Sequence, residues 1–172
     1  FDGSSGWISD WTAGVDYVVS VAGDYDRLCA INMSLVSDQL FTQCPADNAA
    51  TYNQALQAAI LTARNAGIVT FAATGNDGSC NSMASPAALS AAVPVIASFD
   101  TSSCIAAATG GGDGGPACDE IMSFSNRHGC NELAAPGNWV NGPQMGGGVA
   151  PFTGTSFAAP HVAGAVAVLK GA

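Results

Sequence analysis

Apolar positions along the chain follow two alternating periods. In SDWTAGVDYVVSVAG (9–23), Trp11, Val15, Val18 and Val19 recur at three- and four-residue spacing, predicting a helix with Asp10 as its N-cap. LCAINMSLV (28–36) is a short apolar run and predicts a buried strand. DNAATYNQALQAAILTARNAG (47–67) predicts a long helix that Gly67 stops. IVTFAAT (68–74) and VPVIASF (93–99) predict two more buried strands, and IMSFSN (121–126) a short one. Residues 101–120 are rich in Gly, Ser and Ala and read as loop, and TSFAAPHVAGAVAVLKG (155–171) predicts a final helix. Strands alternating with helices predict an α/β fold, a parallel sheet flanked by helices. Neither an internal repeat nor a linker divides the chain, which therefore reads as one domain or part of one.

The last helix is apolar nearly all round, through Phe157, Val162, Val166, Val168 and Leu169, and is expected to be buried. Its small residues, Ala158, Ala159, Ala163, Gly164 and Ala167, permit close approach to neighbours. Ser156 then stands at a buried helix N-terminus, where free amides and the helix dipole favour negative charge. A serine there serves as a cap or as a nucleophile, and helix physics allows both.

Composition narrows the classes. The 172 residues suffice for a sizeable core, and 48% hydrophobic against 10% charged residues describes a folded chain. A net charge of -9, from 13 acidic and 4 basic residues, argues against nucleic-acid partners and anionic membranes. No apolar run approaches the roughly 18 residues of a membrane span, and FDGSSGW (1–7) lacks the pattern of a signal peptide. Six cysteines (Cys29, Cys44, Cys80, Cys104, Cys118 and Cys130) form an even set that points to disulfides and export from the cytosol. The pairing is open, and free buried thiols or a metal site are the competing readings. A metal site is disfavoured by the absence of any C-x-x-C or C-x-x-H pair.

GTSFAAPHVAGA (154–165) resembles the nucleophile motif of the subtilisin-like serine proteases, the subtilases. INMSL (31–35), VTFAATGNDG (69–78), and FSN followed by LAAPG (133–137) resemble further segments of that family, in its order. The resemblance implies a subtilisin-like parallel α/β fold and a serine endopeptidase acting on protein or peptide substrates. Ser156 would form the acyl-enzyme, and Asn76 would help hold the oxyanion. Taken without the motif, Asn76 is an ordinary turn residue. The resemblance also implies an extended substrate along Ser34, Leu35 and Val36, with Ala73, Thr74 and Gly75 as the opposite wall. Val36-Ser37 stands where many subtilases have Gly-Gly, so a narrower first pocket is expected. Asp77 could reach the pocket rim or remain a solvated turn residue.

A serine nucleophile needs a base, and the sequence holds only His128 and His161. His161 follows Ser156 by five residues, which on a helix is roughly 140° round and about 7.5 Å along, so it points away. His128 reads as an exposed loop residue. The family's Asp-(Ser/Thr)-Gly and His-Gly-Thr motifs are absent, and Asp2 lacks their context. Residues 1–172 are therefore expected to be a partial peptidase domain, with Asp and His on an upstream segment and the chain alone inactive. The alternative is a catalytically inactive subtilase-like domain used for binding or scaffolding. A lipase-type Gly-x-Ser-x-Gly elbow is excluded because GTSFA ends in Ala. The resemblance finally suggests a structural Ca²⁺ held near Val93, Val95 and Glu132, and a secreted or extracytoplasmic location.

Overall fold

The structure is a computed structural model that describes residues 6–98, 120–130 and 132–171. Four strands form its main sheet: β1 (Ala30–Met33), β3 (Val69–Ala73), β5 (Val93–Ser98) and β6 (Leu133–Pro136). Their order is β1-β3-β5-β6 and every pairing is parallel, with Ala30 opposite Val69, Phe71 opposite Val93 and Val95 opposite Leu133. Among the described residues three helices flank the sheet: α1 (Ile8–Ser20), α2 (Thr51–Asn65) and α3 (Thr155–Gly171). The predicted α/β class is therefore found. Two short pairs lie apart: β2 (Leu40–Phe41) with β4 (Met83–Ala84), and the hairpin of β7 (Val140–Pro143) with β8 (Val149–Phe152).

The two-residue period of the strands sorts the core onto two faces. Phe71, Ala73, Val95 and Ala97 pack with Ala158 and Ala159 of α3. Met33 and Ala72 face the other way, toward Leu56, Ile60 and Ala63 of α2 and Val15 of α1. Leu56 and Ile60 are fully buried. Side chains of that size contribute roughly 1.5–3 kcal/mol each on burial. The Ala pairs on the α3 face let the helix seat closely on the sheet.

The helix over 9–23 begins at Ile8, and Asp10 does not cap it. Trp7 is the N-cap, without a side-chain cap, and the Asp10 amide donates to its carbonyl (2.9 Å) from within the first turn. Gly67 does close α2, in left-handed conformation (φ 83°) with its amide on the Arg64 carbonyl. The strand expected at 121–126 is absent; Ile121 makes only an isolated bridge to Ser98, and Ser125 turns back to bond the Met122 carbonyl. The final helix spans 155–171 as expected but is not buried along its length. Only Thr155, Ala158 and Ala159 are buried, while Val168 and Leu169 are 72% and 78% exposed. The loop expected over 101–120 lies almost wholly outside the described residues, as do Asp2, Cys104 and Cys118.

Candidate active site

Three segments meet at the N-terminus of α3. The chain leaves β8, turns at Gly154 (φ 152°), and enters the helix at Thr155 with the Phe157 amide on the Gly154 carbonyl (3.0 Å). The turn is pinned by the Gly154 amide on the Gly137 carbonyl (2.8 Å), and the Gly137 amide in turn bonds Ser98 of β5 (3.0 Å). No side chain fits at either glycine. A Cβ on Gly137 would lie 2.5 Å from the Ala97 Cβ. A Cβ on Gly154 would lie 3.1 Å from Ser156 Oγ and 3.4 Å from Asn76 Nδ2. The bare face of Gly154 is thus flanked by the hydroxyl and the amide that the sequence singled out.

Thr155, which the sequence reading passed over, orients that amide. It is fully buried, and its backbone amide (2.9 Å) and hydroxyl (3.1 Å) both donate to Asn76 Oδ1. With Oδ1 taken twice, Nδ2 is left to donate on the open side. The Thr155 hydroxyl also accepts the Gly75 amide (3.2 Å), tying the end of β3 to the start of α3. Ser156 is the second residue of α3, so its amide has no acceptor within the helix. Amide, dipole and Asn76 Nδ2 together favour an anion beside Ser156.

Ser34 also reaches this place, for a reason written in the sequence. A helix carbonyl accepts from the amide four residues on. For Ser156 that residue is Pro160, which has no N–H. Ser34 Oγ donates to the orphaned Ser156 carbonyl instead (2.6 Å). Leu35 is half-buried beyond it and Val36 is 39% exposed. β1 is an edge strand of the described sheet, leaving this side unpaired among the described residues. Ala73, Thr74 and Gly75 are all buried, and Thr74 Oγ1 is turned into the sheet toward the Val95 carbonyl (3.4 Å). Asp77 does not reach along the rim; its Oδ2 is tied beneath its own turn by Asn126 Nδ2 (2.8 Å).

Both histidines are engaged away from Ser156. His161 Nδ1 meets the Phe157 carbonyl of its own helix (2.7 Å). His128 is half-buried rather than exposed, because its Nε2 reaches the Thr42 carbonyl (2.8 Å) and its Nδ1 lies 3.3 Å from Cys130 Sγ. Cys130 is disulfide-bonded to Cys44, while Cys29 is a buried free thiol and Cys80 an exposed one. Val93 and Val95 lie on β5, and Glu132 directly precedes β6, whose Leu133 pairs with Val95. The Val95 carbonyl accepts from Thr74, and Glu132 Oε1 accepts from the amides of His128 and Gly129.

A profile of the family described as Subtilase family matches residues 1–172. Over 166 residues the chain is 33% identical to the extracellular serine proteinase of Thermus sp. (strain Rt41A), covering 95% of this chain and 32% of that protein. It is 34% identical over 169 residues to subtilisin-like protease 4 of Arthroderma gypseum, covering 97% and 35%. Among solved structures, a cold-adapted subtilisin-like serine proteinase aligns at 30% identity and a TM-score of 0.66, over 97% of this chain and 49% of that one. Sphericase aligns at 25% identity and a TM-score of 0.75, over 98% and 51%. The chain thus spans about a third of these curated relatives and about half of these solved chains.

Proposed function

The chain belongs to the subtilase family, and we propose that it carries the nucleophile and oxyanion hole of a serine endopeptidase. Ser156 Oγ adds to the carbonyl carbon of a peptide bond while its proton passes to a base. The carbonyl oxygen, now negative, accepts hydrogen bonds from the Ser156 amide and Asn76 Nδ2. Collapse breaks the C–N bond, the amine leaves with the proton, and water hydrolyses the acyl-enzyme by the same route. The observation that supports this most is Asn76 itself, its Oδ1 fixed by Thr155 so that Nδ2, which has no acceptor among the described residues, stands near Ser156. Removing such a donor costs about 10²–10³ in kcat, a magnitude that comes from subtilisin itself.

The substrate in this reading is an extended peptide laid along Ser34–Val36, added to the open edge of the sheet. The side chain of Val36 narrows the first pocket. The base and its orienting carboxylate come from elsewhere in the protein, because both histidines are bonded to backbone carbonyls away from Ser156. The same observation favours a second reading, an inactive subtilase-like domain that binds without cleaving. The Cys44–Cys130 bridge supports a site of action outside the cytosol, and no described helix is long and apolar enough to cross a membrane.

Fluorophosphonate treatment of the intact protein, with the adduct mapped by mass spectrometry, separates the two. Labelling at Ser156 that Ser156→Ala abolishes is expected of the peptidase. No labelling of the folded protein, or labelling that survives Ser156→Ala, rejects it.

A further inference from the structure

Asn76 sits on the turn Thr74–Ser79, and one buried side chain holds that turn from beneath. Asn126 is fully buried. Its Oδ1 accepts the amides of Asp77 (3.0 Å) and Ser79 (3.0 Å). Its Nδ2 donates to the Thr74 carbonyl (3.2 Å) and to Asp77 Oδ2 (2.8 Å). An amide side chain has two donors and two acceptor sites, and here all of them are spent on one turn. Backbone bonds reinforce the seam: the Asn126 amide donates to the Gly75 carbonyl (3.0 Å) and the Gly78 amide to the Phe124 carbonyl (2.8 Å). The turn lies so close that a Cβ on Gly75 (φ 105°) would fall 2.4 Å from Asn126 Nδ2. Asn126 therefore bonds the chain on both flanks of Asn76 without bonding Asn76 itself.

We propose that Asn126 is a positioning residue of the oxyanion hole, fixing the backbone of residues 74–79 so that Asn76 Nδ2 meets the oxyanion formed at Ser156. The inference rests on the assignment of Ser156 and Asn76 above. Asn76 is exposed, and among the described residues its side chain is anchored by Thr155 alone. Asn126 supplies the second constraint, on the position of the Asn76 Cα. A misplacement of about 1 Å at a reacting geometry costs up to roughly 10² in rate.

The test is a double-mutant cycle in the intact protein. Peptide hydrolysis is measured as kcat and KM, normalised to active sites by burst titration, for the parent, Asn126→Ala, Asn76→Ala and the double variant. Asn126→Ala is expected to lower kcat per titrated site roughly 10- to 100-fold with KM changed less than about threefold. In the Asn76→Ala background the same substitution is expected to cost less than about threefold, because no side-chain donor remains to be misplaced. A purely structural role lowers the titre of folded sites and acts equally in both backgrounds, and that outcome overturns the inference. If Asn126→Ala does not accumulate folded, Asn126→Asp carries the same cycle. It keeps both acceptors but sets a carboxylate against Asp77, so its kcat relative to the parent should rise as the pH is lowered. Turnover abolished by Ser156→Ala but untouched by Asn126→Ala refutes this inference alone. Absence of Ser156-dependent turnover refutes it together with the function it rests on.

Discussion

Thr155→Val removes one hydroxyl from a fully buried position and changes little else in volume. That hydroxyl accepts the Gly75 amide at 3.2 Å and donates to Asn76 Oδ1 at 3.1 Å. Losing the bond to Asn76 costs about 1 kcal/mol, since Oδ1 keeps the Thr155 amide as a donor. Gly75 is buried, so its stranded amide costs roughly 1–3 kcal/mol more. The two together cost roughly 2–4 kcal/mol; for a domain of 150–250 residues each kcal/mol is worth about 2–4 °C, giving a fall in Tm of roughly 4–16 °C. Activity should suffer less than the full loss of the oxyanion donor, by about three- to tenfold in kcat, because Asn76 stays anchored on one side. The assay is thermal unfolding of the intact protein at one fixed scan rate, in a Ser156→Ala background so that autolysis does not enter. Thr155→Ser restores the hydroxyl and should recover most of the loss. A Tm within 2 °C of the parent for Thr155→Val refutes the linkage between β3 and α3, as does a Thr155→Ser variant equally impaired.

Gly137→Ala must push a methyl into the Ala97 Cβ at 2.5 Å and the Gly154 carbonyl at 2.9 Å. Overpacking of this kind costs roughly 1–3 kcal/mol, seen as a lower Tm with reduced fluorophosphonate labelling of Ser156; an unchanged labelling rate contradicts the placement. Ser34→Ala removes the donor to the Ser156 carbonyl and should cost about 1 kcal/mol. Pro160→Ala restores a helical amide for that carbonyl, so the penalty of Ser34→Ala should vanish in its background, and a penalty that persists there shows the Ser34 bond to be incidental. Iodoacetamide applied to the folded, non-reduced protein should modify Cys80 and spare Cys29, with Cys44 and Cys130 reacting only after reduction and unfolding, as read by peptide mapping. Rapid alkylation of Cys44 without reductant counts against its bridge to Cys130.

Much of this protein is written locally. The 3.6-residue period of 51–65 and the left-handed glycine at 67 define α2 within a few residues, and the apolar runs at 69–73 and 93–98 define β3 and β5. The resemblance of 154–165 picked out the nucleophile candidate and that of 69–78 picked out Asn76, since the residue types that the chemistry needs lie in short, ordered stretches. Burial along α3 escaped the sequence because an all-round apolar pattern says nothing about where a helix leaves the sheet, and only its first turns rest on Phe71, Ala73, Val95 and Ala97. IMSFSN looked like a strand because it is a short run carrying Ile121, Met122 and Phe124. In the fold Met122 and Phe124 pack toward the α3 face while the backbone turns to bring Asn126 beneath Gly75. Thr155 and Asn126 carried no local signal, being a common cap residue and a common turn residue. Their roles depend on partners about eighty and fifty positions away in the chain. Periodicity and short motifs record contacts between near neighbours; which buried hydroxyl or amide closes a hydrogen bond across the sheet is settled only when the parallel strands bring distant turns to one end.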